Sequence, residues 1–420
     1  MDKLNQRLER RLESSLDELL KDPEALAVRN HTIAEAMHRT PFRHRLRRVM
    51  LQSLATAYVP LSRRGLRSNR ILLIRPDHLG DLILTLPAIR ALRASNPYAE
   101  IHMLVGNGSA GVLQTVEEVD AVLTLQFPGF TRGKPTDWRS PYQFAFQTAR
   151  RLRRIGYAQA IIFRPDHWWG AWLARLTGIP RRVGYDHQDV SPFLTQAVRY
   201  EKGHVVQQNL RLVEALTGQA APPENYPLSL PVDEVERAYV SGYLQEWGLE
   251  EDQRLFCIHP GAGTSVKQWE SEKWVEVATI LSEQLHAVPV FTGSDHELPT
   301  IRQMVEGMSV KAVVMAGDTA VGHLAALYQR AQVVLGPDSG PMHLAVAVDT
   351  PTVTLYGPAD PDEFGSWGNA RRHAILVSDI ACRPCRILDW SHDDPRYHPC
   401  VRAISVTQVL TAARNVAAYR

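Results

Sequence analysis

The 420-residue chain has no apolar run approaching the roughly 20 residues that a bilayer-spanning helix needs. Its opening, Met1-Asp-Lys-Leu-Asn-Gln-Arg-Leu-Glu-Arg-Arg11, lacks the apolar centre of a signal peptide, so the expected location is the cytoplasm. Cysteine is scarce at four residues, which excludes a disulfide-stapled secreted scaffold. Acidic residues are missing altogether from Ala36 to Pro76, a stretch that carries nine arginines from Arg39 to Arg70. No Asp-x-Asp sequence is read as a metal–nucleotide motif. What remains is 45% hydrophobic and 22% charged, the balance of a globular domain and not of a disordered chain. At this length two domains plus appendages are expected.

The densest chemistry lies in Gly336-Pro-Asp-Ser-Gly-Pro-Met-His343, between a buried-strand pattern (Ala331 to Leu335) and a small-residue helix pattern (Leu344 to Val348). A strand that breaks into Gly, Asp and Ser just before a helix leaves the first helical N–H groups pointing at whatever anion sits there. Ser339 and His343 can add side-chain donors, and Asp338 can order the turn or meet a ribose hydroxyl. An ordinary helix cap would need only the Asp-Ser pair.

A second dense motif is Ile71-Leu-Leu-Ile-Arg-Pro-Asp-His-Leu-Gly-Asp-Leu-Ile-Leu-Thr-Leu-Pro-Ala-Ile-Arg90. Ile71 to Ile74 reads as a buried parallel strand, and helical spacing runs from Leu82 through Leu92. The Leu79-Gly80-Asp81 corner then falls at the carboxyl end of a strand, where open α/β sheets place ligands. Asp81 is there either an acceptor carboxylate or the N-cap of the next helix.

Strands and helices alternate along most of the chain. Residues 101–105, 121–126 and 160–164 continue a first parallel sheet; 255–259, 288–292, 312–316, 333–335 and 352–356 form a second. Thr217 to Glu236, with Pro222, Pro223, Pro227 and Pro231, reads as the linker. The expected organisation is a helical basic extension (1–69), an N-terminal doubly wound domain (70–230) and a C-terminal one (231–420). Gly106-Asn-Gly-Ser-Ala-Gly111 has dinucleotide spacing but follows the second strand of its domain, and its acidic candidate Asp120 precedes the next strand. Gly261-Ala-Gly-Thr-Ser-Val-Lys267 has the wrong spacing for a P-loop, yet it offers free N–H groups beside a lysine.

Together these motifs resemble glycosyltransferase family nine, the ADP-heptose:lipopolysaccharide heptosyltransferases. The resemblance rests on Ile74-Arg75, Leu79-Gly-Asp-Leu82 and Thr85-Leu-Pro-Ala88; on His259-Pro-Gly-Ala-Gly263 with Lys267-Gln-Trp269 and Trp274; and on Asp338-Ser-Gly-Pro-Met-His343 with Tyr356-Gly-Pro358. It covers residues 70–400 in the family's order, and residues 1–69 have no counterpart in typical members. It implies a GT-B architecture, α/β with two Rossmann-like domains facing a central cleft, and an inverting sugar transfer from a nucleotide-diphospho-sugar. Asp81 maps onto the proposed catalytic base and Lys267 onto the diphosphate-binding lysine. Gly261, Gly263, Thr264, Asp338, Ser339, Gly340 and His343 fall around the donor, with Glu297 where an acidic ribose ligand is expected and Thr319 near the adenine pocket. No metal is required if Lys267 and helix N–H groups stabilise the departing diphosphate.

The acceptor is expected on the N-terminal domain, at Arg75, His78, Arg164 and His167, with Trp168, Trp169, Trp172, Arg181 and Arg182 nearby; a glycolipid or polysaccharide suits these residues. Cys382-x-x-Cys385 with Cys400, His392 and His398 has spacing that suits a structural zinc or iron, with reduced thiols as the alternative. Between Ala36 and Arg70, arginines interleave with Phe42, Leu46, Met50, Leu51 and Leu54. That pattern fits a helix on an anionic membrane at its inner face, or one packed on its own protein; no nucleic-acid partner is expected. Two other functions compete with sugar transfer: an epimerase or hydrolase of the same donors, and a non-catalytic nucleotide-sugar-binding protein. Retention of both Asp81 and Lys267 argues against the last.

Overall fold

The computed structural model describes residues 22–38, 42–56, 58–62, 68–130, 140–317, 319–388 and 394–419. Two compact units divide it: residues 41–236 with 320–322, and residues 1–40 with 237–319 and 323–420.

In the first unit β1 (Arg70–Arg75), β2 (Glu100–Gly106), β3 (Ala121–Leu125), β4 (Gln159–Ile162), β5 (Arg181–Tyr185) and β6 (Gln196–Val198) form one sheet in the order β3-β2-β1-β4-β5-β6. Every pairing is parallel. In the second, β7 (Leu255–Ile258), β8 (Val288–Gly293), β9 (Val313–Ala316), β10 (Val334–Pro337), β11 (Thr352–Tyr356) and β12 (His373–Val377) follow the order β12-β11-β10-β7-β8-β9, again all parallel. Both orders are that of a Rossmann sheet, in which the chain starts in the middle, winds out to one edge, then returns and winds to the other. Each sheet therefore has one reversal point, between β1 and β4 and between β7 and β10.

The central strands are almost wholly apolar, as burial on both faces demands: Ile71 to Ile74 and Leu255 to Ile258 are buried throughout. At the second reversal point Gly336 permits close approach, because a Cβ there would lie 2.7 Å from the His259 carbonyl oxygen. The expected helix after β1 is interrupted. Leu79–Ile83 ends at Leu84, and a new helix, Leu86–Ser95, starts with Pro87 in its first turn, where a missing N–H costs nothing. Asn209 holds the break by donating to the Leu84 carbonyl at 3.0 Å.

The N-terminal extension is not one piece. Helix Pro23–His38 packs in the second unit, with Ala34 against Val266 and Ile387, and Asn30 Nδ2 donating to the Tyr397 carbonyl at 2.7 Å. Helix Phe42–Thr56 belongs to the first unit: Leu51 is 0% exposed within its core, Leu54 and Ala55 pack against that core, and Arg48 pairs with Asp189 at 3.5 Å. Leu51, Leu54 and Ala55 of the arginine-rich segment are thus taken up internally, while Val49 and Met50 face outward. Arg39, Arg63, Arg64 and Arg67, and the side chains of residues 42–47, lie outside what the structure describes.

Leu51→Ala should cost about 2–5 kcal/mol of unfolding free energy, the usual range for a truncated core leucine. Denaturant unfolding checks it; a loss within about 0.5 kcal/mol, typical of a surface change, would mean that the helix is not part of the folded unit.

Candidate active site

At the first reversal point the chain leaves β1 as Arg75-Pro76-Asp77-His78 and leaves β4 as Phe163-Arg164-Pro165-Asp166-His167. Parallel pairing of the two strands sets these ends side by side. The result is a row of alternating charges. Arg75 Nε lies 3.0 Å from Asp77 Oδ2, and Arg75 Nη2 donates to Asp81 Oδ1 at 3.2 Å. Arg164 Nη1 donates to the other Asp77 oxygen, and Arg164 Nε to Asp166 Oδ1 at 2.6 Å. The Arg75 side chain is 3% exposed and that of Asp77 1%, whereas Asp81 keeps 29%.

The two carboxyl groups behave oppositely. Burial alone would raise Asp77, but Arg75 and Arg164 beside it outweigh burial and hold it below the usual range. Asp81 is raised by burial and by the neighbouring Asp77 charge, against the weaker pull of Arg75 and Arg164. Of the pair, Asp81 alone combines exposure with raised proton affinity, as a general base needs. It sits in the first turn of helix Leu79–Ile83, whose N-cap is His78, so the capping role for Asp81 does not hold.

The expected acceptor residues are not equivalent. His78 is exposed beside Asp81. The charge of Arg75 is taken up by Asp77 and Asp81, and Arg164 is engaged by two carboxylates. His167 is buried between Phe127, Phe130 and Trp169, and burial lowers it to about 4, so it is neutral at pH 7. Both ring nitrogens are shielded without a hydrogen-bond partner, and a Cβ on Gly170 would meet Nδ1 at 2.4 Å. Trp169 and Trp172 are core residues. Arg182 is buried and donates to the Phe193 and Ile179 carbonyls, while Arg181 donates to Gln196 and the Ala215 carbonyl, so both brace the fold.

The second reversal point carries the other motif. Lys267 Nζ contacts Asp338 Oδ2 at 2.5 Å, joining the loop after β7 to the end of β10. Lys267 is therefore a paired cation and not the mobile charge that its spacing alone suggests. Around the pair, the side-chain oxygens of Ser339 and Thr264 are shielded and lack a hydrogen-bond partner. Ser339 is the N-cap of helix Gly340–Ala347 but makes no side-chain cap bond, so its hydroxyl stays available to a ligand. His343 is buried within that helix.

Glu297 comes to the same loop from β8. It accepts from Ser294 N and Oγ at 2.8 Å each, and it lies against Gly261, where a Cβ would come within 1.9 Å of its Oε1 and displace it. Beneath, His259 is hydrogen-bonded to the Thr292 hydroxyl at 3.0 Å, which is bonded to Tyr328, and burial lowers the imidazole to about 4. This neutral network supports the loop that carries Gly261, Gly263, Thr264 and Lys267. Thr319 follows β9, the edge strand, two strands away from β7.

Cys382, Cys385 and Cys400 do come together, lining a small cavity with His398, Asn30 and Val266. Burial raises all three thiols, Cys400 to about 12. Among the described residues no group of three His, Cys, Asp or Glu side chains is arranged to hold a metal ion, and His392 lies outside them. Asp360-Pro361-Asp362 has Asp-x-Asp spacing. Asp360 caps a short helix through the Asp362 N–H and pairs with Arg386 at 2.6 Å, a structural use.

Known proteins share this construction. The sequence profile described as glycosyltransferase family 9 (heptosyltransferase) matches residues 145–389, more than half of the chain. Lipopolysaccharide heptosyltransferase 3 of Escherichia coli is 27% identical over 297 residues, covering 69% of this chain and 84% of that protein. Lipopolysaccharide heptosyltransferase 1 of Pseudomonas aeruginosa is 26% identical over 326 residues, covering 75% and 86%. The solved structure of the E. coli ADP-heptose heptosyltransferase II superposes with a TM-score of 0.67 at 20% identity, over 83% of this chain and 99% of that one. The two Rossmann sheets are those of the GT-B fold, and the chain belongs to glycosyltransferase family 9, the heptosyltransferases.

Proposed function

We propose that this glycosyltransferase moves heptose from ADP-heptose, with inversion, to a glycolipid or polysaccharide of the cell envelope. What supports the reading is a raised, part-exposed carboxyl at the reversal point of one unit, and a lysine beside unpartnered hydroxyls at that of the other. Two of the similar proteins are named lipopolysaccharide heptosyltransferases, and the solved neighbour is an ADP-heptose enzyme.

In this reading Asp81 accepts the proton of the acceptor hydroxyl as that oxygen attacks the anomeric carbon. One carboxylate suffices, because inversion passes through no covalent intermediate. The departing diphosphate takes Lys267 as counter-charge, with Thr264, Ser339 and the N–H groups at the start of helix Gly340–Ala347 as donors. The diphosphate then competes with Asp338 for Lys267, and the displaced Asp338 carboxylate becomes an acceptor for a nucleotide hydroxyl. Glu297, against Gly261, is the second carboxylate of that loop and the candidate ribose ligand. Acceptor contacts fall to His78 and the exposed part of Arg164, with Arg75 and His167 acting from behind them.

A glycolipid acceptor places the enzyme on the inner face of the cell membrane. Among the described residues no helix is long and apolar enough to cross a membrane, so attachment would be peripheral, through residues 36–70. Replacing Arg43, Arg45 and Arg47 by Gln should then release the protein from anionic vesicles, with wild-type binding falling steeply as salt rises. Salt-independent binding, or none by the wild type, removes the membrane from the reading.

Asp81→Asn should leave ADP-heptose affinity within a few-fold and lower turnover by roughly 10²-fold or more, as loss of a base does. Lys267→Ala should weaken ADP far more than AMP. Calorimetry with ADP, AMP and ADP-heptose, alongside a turnover assay, checks both; near-normal turnover in Asp81→Asn, or equal losses for the two nucleotides in Lys267→Ala, contradicts the assignment.

A further inference from the structure

The general base of the proposed reaction does not stand alone, and the group that sets its strength is buried behind it. Asp166, Arg164, Asp77, Arg75 and Asp81 form a row of five charges of alternating sign, each in contact with the next. Arg75 is the only cation in ion-pair contact with Asp81 among the described residues. It is shared: its Nε faces Asp77 at 3.0 Å and its Nη2 faces Asp81 at 3.2 Å. Asp77 is also shared, between Arg75 and Arg164.

We infer that Asp77 is a positioning residue for the transfer reaction: it draws on the same Arg75 guanidinium that donates to Asp81 and thereby keeps Asp81 basic enough to take the acceptor proton. This rests on Asp81 being the base. An aspartate that owns an arginine outright is a weak base, because the cation favours its ionised form. A second carboxylate on the same guanidinium divides that attraction and adds like-charge repulsion of its own. The groups facing Asp81 are Arg75, Asp77, Arg164 and His78, and those facing Asp77 are Arg75, Arg164 and His167. His167 is neutral above about pH 4, so over the working range the balance is set by two arginines, Asp77 and His78. Asp77 cannot itself be the base, since it is 1% exposed and both its oxygens face arginines.

The row predicts opposite effects for two of its three inner members, Asp77 and Arg164. Asp77→Asn removes the competing charge, so Arg75 and Arg164 act undivided on Asp81 and its proton affinity falls. Arg164→Gln removes a distant cation and leaves Asp77 to Arg75 alone, so the proton affinity of Asp81 rises. Because the base must be deprotonated to act, the acid limb of kcat/KM should move to lower pH in Asp77→Asn and to higher pH in Arg164→Gln. The plateau kcat of Asp77→Asn should fall, but by less than the roughly 10²-fold loss that follows removal of a base.

Two measurements on the full chain decide. The first is the pH profile of ADP release from ADP-heptose with heptose-deficient lipopolysaccharide as acceptor. The second is ¹³C NMR titration of the Asp81 carboxyl, which needs no substrate and also reads a variant whose activity is lost. Opposite displacements of the midpoint in the two variants support the inference. Coincident midpoints, or displacement the same way in both, overturn it and reduce Asp77 to a buried ion-pair partner. Full turnover in Asp81→Asn would instead remove the base reading beneath it, so the two failures are distinguishable.

Discussion

The constraint on which the rest depends is the reversal of winding in each parallel sheet. A strand order that starts in the middle must leave one place where two neighbouring strands send their chains to opposite faces. The carboxyl ends leave a crevice there, in which loops from strands far apart in sequence meet. In the first unit this brings Arg164 to Asp77 across 87 residues, and in the second Asp338 to Lys267 across 71. The apolar strands Ile71 to Ile74 and Leu255 to Ile258 fix these positions by burial alone, and the charged residues follow immediately after them.

Both places hold charge in a state that a ligand can change. The Lys267–Asp338 pair is largely buried, and a buried pair persists only because each partner compensates the other. A diphosphate arriving with more negative charge than one carboxylate supplies a stronger partner for the lysine. In the first unit the charges are arranged so that two chemically identical carboxyl groups, four residues apart, diverge. Asp77 is held ionised between arginines, and Asp81 is left with part of one arginine and some solvent. Environment, and not residue type, assigns the roles.

The motifs were legible because each sits at a strand end that periodicity can locate: Asp81 after Ile71 to Ile74, Lys267 after Leu255 to Ile258, and Asp338 after the run that ends at Leu335. Three strands were not. β5 opens with two arginines although the rest of it is buried, β6 is three residues long, and β12, apolar from Ala374 to Val377, is an edge strand with alternating exposure. Helix Pro23–His38 was legible as a helix, but its docking beside Val266 and Ile387 depends on partners more than 200 residues away. The use made of Arg75, Arg181 and Arg182 was hidden although their partners are near in sequence: an arginine near a sugar-binding motif reads as a ligand contact until its carboxylate or carbonyl partners are in place.

The central claim is a division of labour, with the nucleotide diphosphate held at the β7/β10 reversal point and the base supplied at the β1/β4 one. Hydrogen exchange of the full chain with and without saturating ADP tests it most directly. Binding at the second reversal point slows exchange of the N–H groups in 261–267 and 338–343. Unchanged exchange in both of those segments, with protection confined to 77–81 and 164–168, would contradict the account.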